Sequence, residues 1–302
     1  MRIEKTESAF GEQDSSLDEA CLSGAFCIGT VKGKCRMIKV KNLEIGTGRP
    51  KICVPVIEKT RGDILAQAKC MKEKGAELVE WRADFFDEVQ NPECVLEVLL
   101  ELQCILTELP LLFTFRTAKE GGEKHILWEQ YETLLKAVAE SGTVELIDVE
   151  IFRGYDERLH QKKEWRVTDV CNRRMLDLMD ELKRKVVLIG SYHDFEKTPS
   201  QEEILRRFLF IDRMGADIPK MAVMPKERED VLRLMEAACL AERLIMEKPL
   251  IAMSMGALGA ITRVSGETFG SAVTFGCVGK ESAPGQLEAG RLRSILDTLH
   301  RG

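Results

Sequence analysis

From Lys51 to the end of the chain one pattern recurs eight times: a short apolar or β-branched run, a polar turn, then an amphipathic helical stretch. The strand-like runs are Ile52–Ile57, Leu78–Arg82, Leu111–Arg116, Glu145–Glu150, Val186–Ser191, Ile218–Val223, Leu250–Ser254 and Ala272–Phe275. The helical stretches are Asp63–Lys74, Pro92–Glu108, Glu129–Glu140, Asp169–Lys183, Ser200–Met214, Glu227–Glu247, Leu258–Thr268 and Gln286–His300. Strict alternation makes the strands parallel, because each crossover helix returns the chain to the same end of the sheet. Eight units imply an α/β fold of one domain, a (β/α)8 TIM barrel. The alternative is an open doubly wound sheet. That fold expects a Gly-rich loop after its first strand, where this chain has Glu58-Lys59-Thr60-Arg61-Gly62.

Local signals support the division. Gly75, Gly142 and Gly215 each follow a helical run and lead into a strand two or three residues on, as left-handed C-terminal caps do. Thr198-Pro199-Ser200 with Glu203 reads as a helix start with a capping box. Residues 37–50 read as a short hairpin or lid, and 37–302 as the barrel domain. Residues 1–36 mix Gly, Ser and charge without sustained periodicity and read as a disordered N-terminal extension, with Met37 an alternative start.

Composition narrows the function. A net charge of −6 argues against a nucleic-acid partner, though a local arginine cluster can still bind a small anion. The ten cysteines form no C-x-x-C pair, and the four histidines show no H-x-H or H-x-x-x-H spacing, so neither a metal nor a cofactor is implied. No apolar run is long enough to span a bilayer, and the N-terminus is acidic, the wrong polarity for a secretory signal. A cytoplasmic, reducing setting fits.

Against that background Asp217-Ile218-Pro219-Lys220-Met221-Ala222-Val223-Met224 stands out, since lysine is almost never buried unless paired or neutral. Lys220 is either an amine nucleophile or a lysine whose stem lies on apolar surface while its ammonium reaches water. In a barrel, chemistry collects at the C-terminal ends of the strands. Strand 2 ends in Glu80-Trp81-Arg82, strand 3 in Arg116 with Glu120 beyond it, and strand 4 carries Asp148 and Glu150 on one face. Strand 5 runs into His193; strand 7 ends in Met253-Ser254-Met255, followed by Arg263; beyond strand 8 come Ser282 and Gln286. Each has a bland reading as surface ion pair, core filler or turn. Their convergence on one end of one barrel does not. Neutral lysine forms a Schiff base with a ketone, histidine moves a proton, and arginine binds a carboxylate. The set points to β-elimination or aldol chemistry on a small hydroxylated keto acid.

The same residues resemble those of type I 3-dehydroquinate dehydratase, a Schiff-base dehydratase of the shikimate pathway. The resemblance spans about residues 37–302 and rests on Glu80-Trp81-Arg82-Ala83-Asp84, Phe113-Thr114-Phe115-Arg116 with Glu120-Gly121-Gly122, Asp148-Val149-Glu150 and Ser191-Tyr192-His193-Asp194-Phe195. It continues through Asp217 to Ala222, Met253 to Gly256, Thr262-Arg263, Phe269-Gly270-Ser271 and Ser282-Ala283-Pro284-Gly285-Gln286. It implies that Lys220 forms an imine with 3-dehydroquinate and that His193 is the general acid and base. Glu120 and Asp148 would orient His193, and Arg263 would clamp the substrate carboxylate. Glu80, Arg82 and Arg116 would line the hydroxyl-bearing side, Ser282 and Gln286 the closing loop, and Met253, Met255 and Phe275 an apolar wall. A homodimer is expected too. Thr262 stands where serine is common and keeps the hydroxyl, while the first strand, ending near Pro55 and Val56, offers no polar contact. The rival functions are a class I Schiff-base aldolase on the same fold and a non-catalytic barrel that binds a hydroxy acid.

Overall fold

The structure is a computed structural model that describes residues 37–153 and 170–300. The expected extension over 1–36 therefore lies outside the described residues. Eight parallel strands follow one another round the sheet: β3 (Lys51–Val56), β4 (Leu78–Arg82), β5 (Leu111–Thr114), β6 (Leu146–Glu150), β7 (Val187–Asp194), β8 (Ile218–Val223), β9 (Ile251–Ser254) and β10 (Val273–Cys277). The ring closes where Leu250 and Ser271 form a parallel bridge between β9 and β10. The expected (β/α)8 barrel is what forms. Its register slips by two residues at β4/β5 (Glu80 opposite Leu112), β6/β7 (Asp148 opposite Ile189), β8/β9 (Lys220 opposite Ile251) and β10/β3 (Phe275 opposite Cys53). Such stagger tilts the strands and lets a sheet close.

Because side chains alternate along a strand, that register sorts the interior into layers. At the N-terminal end Cys53, Leu78, Leu112, Leu146, Ile189, Ile218, Ile251 and Val273, one from each strand, form an apolar ring. The hairpin β1 (Ile38–Val40) and β2 (Leu43–Ile45) packs Val40 and Ile45 onto it. The 37–50 segment is thus a hairpin plugging the floor, not a lid over the strand ends. Burying each such side chain contributes about 1.5–3 kcal/mol. Two residues further along, the interior turns polar on five of the eight strands, with Glu80, Thr114, Asp148, Ser191 and Lys220 all buried.

The helices are α1 (Arg61–Lys69), α2 (Pro92–Ile105), α3 (Trp128–Ser141), α4 (Val170–Leu182), α5 (Gln201–Arg213), α6 (Arg228–Leu240), the short α7 (Ile261–Val264) and α8 (Gly266–Phe269), and α9 (Ala289–Leu299). Gly75, Gly142 and Gly215 all have positive φ, as their cap positions require. Ser200 caps α5 by accepting the Glu203 N–H, while the Glu203 carboxylate takes Arg207.

Four stretches differ from expectation. The helix expected over 258–268 is two short pieces, because Gly259 packs its Cα under the Ser254 carbonyl and Ser265 leaves helical geometry. The helix expected from Asp63 to Lys74 stops at Lys69, capped at Cys70. The last helix starts three residues late, since β11 (Leu287–Glu288) pairs with Gly276 and Cys277 first. The fifth strand runs on to Asp194 and so carries His193 itself.

Candidate active site

The third layer, at the C-terminal mouth, surrounds one cavity. It is bordered by Glu80, Arg82, Arg116, Glu120, His193, Lys220, Met253, Met255, Arg263, Phe275, Ser282 and Gln286, twelve of the thirteen residues singled out from the sequence. The thirteenth, Asp148, lies beneath it.

Lys220 is only 3% exposed. Its Nζ donates to Asp148 Oδ2 at 2.9 Å, stands 4.0 Å from Glu80 Oε1 and lies 4.6 Å from the centre of the Phe275 ring. The apolar run Ile218–Val223 thus conceals a paired lysine rather than an isolated one, because β6 brings a carboxylate across the barrel to meet it. Asp148 also takes Ser191 Oγ at 2.6 Å and Arg116 Nη2 at 2.8 Å. Burial alone would raise its carboxyl, but Arg116 and Lys220 outweigh burial and hold it at about 2. The expected role of Asp148 as an orienter of His193 does not match this geometry, since its oxygens face Lys220, Ser191 and Arg116.

Glu120 is the histidine's partner. Its Oε2 lies 3.0 Å from His193 Nδ1 and accepts the His193 backbone N–H at 3.1 Å. The 3-10 turn Ala118–Glu120 and Gly121 at φ 83° present it there, and a Cβ on Gly121 would meet the Phe195 ring at 2.2 Å. Only glycine lets the loop fold back under that ring. Burial first, then Arg116, Lys220 and Arg82, hold His193 well below its ordinary range, so the free site contains a neutral imidazole. Burial, then Glu150, pushes the Glu120 carboxyl up.

The arginines divide sharply. Arg82 is held by both oxygens of Asp84 at 2.8 Å. Arg116 reaches Asp148, Glu150 at 3.2 Å and Glu120 at 3.6 Å. Among the described residues Arg263, 1% exposed, hydrogen-bonds only neutral atoms: the Phe275 carbonyl at 3.2 Å, the Pro284 carbonyl at 3.0 Å and Met253 Sδ at 4.0 Å. Its Nε has no partner among the described residues, and burial, opposed by a weaker pull from Glu281, lowers its pKa to about 10. A dry guanidinium without a carboxylate is a site for an anion from outside.

The loop after β10 roofs the cavity. Gly256 donates to the Pro284 carbonyl at 3.0 Å, and Gly285, at φ 78°, presses so closely on Gly256 that a Cβ would fall 2.4 Å from its carbonyl oxygen. Ser282 N–H donates to Gln286 Oε1 at 2.8 Å, and Gln286 Nε2 to Ser282 Oγ at 3.0 Å, which braces the loop. Among the described residues no three His, Cys, Asp or Glu side chains converge as metal ligands.

A family model described as type I 3-dehydroquinase matches residues 52–302. The chain belongs to that family, and so to the carbon–oxygen lyases. A 3-dehydroquinate dehydratase of Clostridioides difficile is 45% identical over 88% of this chain and 98% of its own length. One of Bacillus licheniformis is 41% identical, at 88% and 98%. The crystal structure of the Clostridium difficile type I enzyme, carrying covalently modified comenic acid, superposes with a TM-score of 0.80 at 43% identity, over 89% of this chain and 99% of that one. A 3-dehydroquinate dehydratase from Geobacillus kaustophilus gives 0.79 at 38%, over 87% and 96%.

Four polar residues that hold this 3-dehydroquinase cavity were given no role from the sequence. Ser191 links Arg116 to Asp148; Glu150 takes Arg116, the Thr117 N–H and the Thr117 hydroxyl; Asp84 holds Arg82; Thr114 donates to Glu80 at 2.8 Å. Spacing by two from a chosen neighbour on the same strand marks Ser191 (from His193), Glu150 (from Asp148) and Thr114 (from Arg116) as inward-facing.

Proposed function

We propose that this chain converts 3-dehydroquinate to 3-dehydroshikimate and water through an imine on Lys220, with His193 as acid and base. The observation that carries the proposal is a buried primary amine sharing one roofed cavity with a neutral imidazole and an unpaired guanidinium. Arg263 binds the substrate carboxylate and aligns the ring. Lys220 adds to the C3 ketone, the two protons its ammonium loses leave on the ketone oxygen as water, and the protonated imine then draws electrons from C2. His193, held on Nδ1 by Glu120, takes the C2 proton through its other nitrogen to give an enamine. The enamine pair expels the C1 hydroxyl, which leaves as water with the proton from His193. A second water hydrolyses the product imine and frees Lys220. Met253, Met255 and Phe275 keep the amine in an apolar wall, while Glu80, Arg82 and Arg116 face the substrate hydroxyls.

Borohydride added with 3-dehydroquinate tests this. The expected result is irreversible loss of activity and a ligand adduct on Lys220 by mass spectrometry. Absence of an adduct, or an adduct on another lysine, overturns it. His193→Ala should still be trapped while losing nearly all turnover. Product identity separates the rivals: a dehydratase yields a conjugated enone that absorbs in the ultraviolet, an aldolase yields two fragments, and a binding barrel yields neither. A homodimer and a cytoplasmic setting belong to the same reading. Light scattering on the purified chain tests the first; among the described residues no helix is long and apolar enough to cross a membrane.

A further inference from the structure

We propose that Ser191 is a positioning residue that sets the charge Lys220 feels, acting through Asp148. The inference rests on the imine reading above. Ser191 sits mid-way along β7, fully buried, and is not among the residues that line the cavity. Its hydroxyl is fully engaged. Arg116 Nη1 can only donate, and does so to Oγ at 2.9 Å, so the Ser191 proton is donated to Asp148 Oδ1 at 2.6 Å in preference to the more distant Val149 carbonyl at 3.4 Å. The other oxygen, Oδ2, faces Nζ of Lys220 at 2.9 Å. Ser191 and Arg116 Nη2 thus share one carboxylate oxygen, leaving the other for the amine.

The surroundings make this hydroxyl matter. Around the Lys220–Asp148 pair stand Glu80 from β4, Arg116 after β5, Glu150 at the end of β6, His193 on β7 and the Cys53 thiol on β3. Asp148 is the nearest anion to Nζ among the described residues, a full ångström nearer than Glu80 at 4.0 Å. The Ser191 proton draws part of the Asp148 charge to the far oxygen, and a hydrogen bond to a charged group in a dry interior is a strong one. Without it, Arg116 Nη2 still holds Oδ1, so the carboxylate stays but is less compensated. The ammonium form of Lys220 is then favoured over the amine that attacks. The alkaline shift this produces is a consequence specific to charge.

The test is the rate of borohydride-trapped adduct formation on Lys220, followed against pH in the full-length protein and in Ser191→Ala. In Ser191→Ala the rising limb should move to higher pH by about one unit, which is about a tenfold slower reaction on its acid side. The rate should return toward wild type at high pH, with little change in KM. Ser191→Cys, isosteric and a weak donor, should move the limb the same way by less, and decides the matter if Ser191→Ala fails to fold. An equal loss at every pH, no movement, or movement to lower pH overturns the inference. A wild-type adduct with no shift in the variants brings down this inference alone. No adduct on wild-type Lys220 brings down the imine reading, and this inference with it.

Discussion

Arg116 and Arg263 are both buried guanidiniums bordering the same cavity, and their surroundings are opposite. Arg116 has three carboxylates within 3.6 Å, and their combined pull overcomes burial and raises its pKa. Arg263 has two backbone carbonyls and a thioether, and burial lowers its pKa to about 10. The first arginine is neutralised by the protein's own carboxylates; the second, among the described residues, is hydrogen-bonded only to neutral atoms. Ligand-binding capacity in this cavity is therefore set by the partner a residue lacks. Arg116 holds the architecture of the acid–base groups, touching both the carboxylate on the lysine and the one on the histidine. Arg263, on the proposed reading, is the residue that meets the substrate carboxylate.

The contrast predicts different failures. Arg116→Gln leaves Asp148, Glu150 and Glu120 facing one another without their shared cation, and breaking a buried pair by removing one partner costs about 3–5 kcal/mol. Urea unfolding should show a loss of that size. A smaller second effect is expected at the other arginine. Arg263→Gln should leave stability within about 1 kcal/mol of wild type, since it removes a desolvated charge together with two hydrogen bonds. Its KM should nonetheless rise about a hundredfold, the loss of a charge-assisted carboxylate contact of about 2–3 kcal/mol. If Arg263→Gln unfolds as readily as Arg116→Gln, or keeps its KM, the two arginines are not different in kind.

That distinction was only half legible in the sequence. The barrel was readable because its strands are buried on both faces and appear as apolar runs. The cavity was readable because alternation puts Glu80 with Arg82, and Asp148 with Glu150, on the inner face. Partnership was not. Ser191 meets Asp148 from 43 residues away and Arg116 from 75, and Lys220 meets Asp148 from 72, so no local pattern marks the contacts. The resemblance implies that Asp148 orients His193, whereas strand register carries its carboxylate to Lys220. The isolation of Arg263 is harder still, because lacking a carboxylate is a property of everything packed around it. The departure from the expected 258–268 helix has the same origin: the close approach of Gly259 to the Ser254 carbonyl is a contact between chain segments that helical periodicity does not mark.

A further predicted effect, no larger than the second, uses pH to separate two carboxylates that share Arg116. Asp148 is held at about 2 and Glu120 is pushed above its ordinary value, so acid acts on them with opposite sign. A depressed folded pKa contributes stability that is present above the unfolded value of about 3.9 and is lost as pH falls through the folded value. For Asp148 that window runs from about pH 4 down to about pH 2, and the amount is about 2–3 kcal/mol. Glu120 contributes nothing to that loss, since protonation relieves a buried carboxylate whose folded pKa is already raised. Urea midpoints measured across the window should fall with acid in the wild-type protein. In Asp148→Asn the fall should be smaller by about that amount, while Glu120→Gln should keep the full wild-type slope. If Glu120→Gln flattens the slope and Asp148→Asn does not, Arg116 favours the histidine's carboxylate over the lysine's, and the electrostatic centre of the site lies one strand away from where the geometry places it.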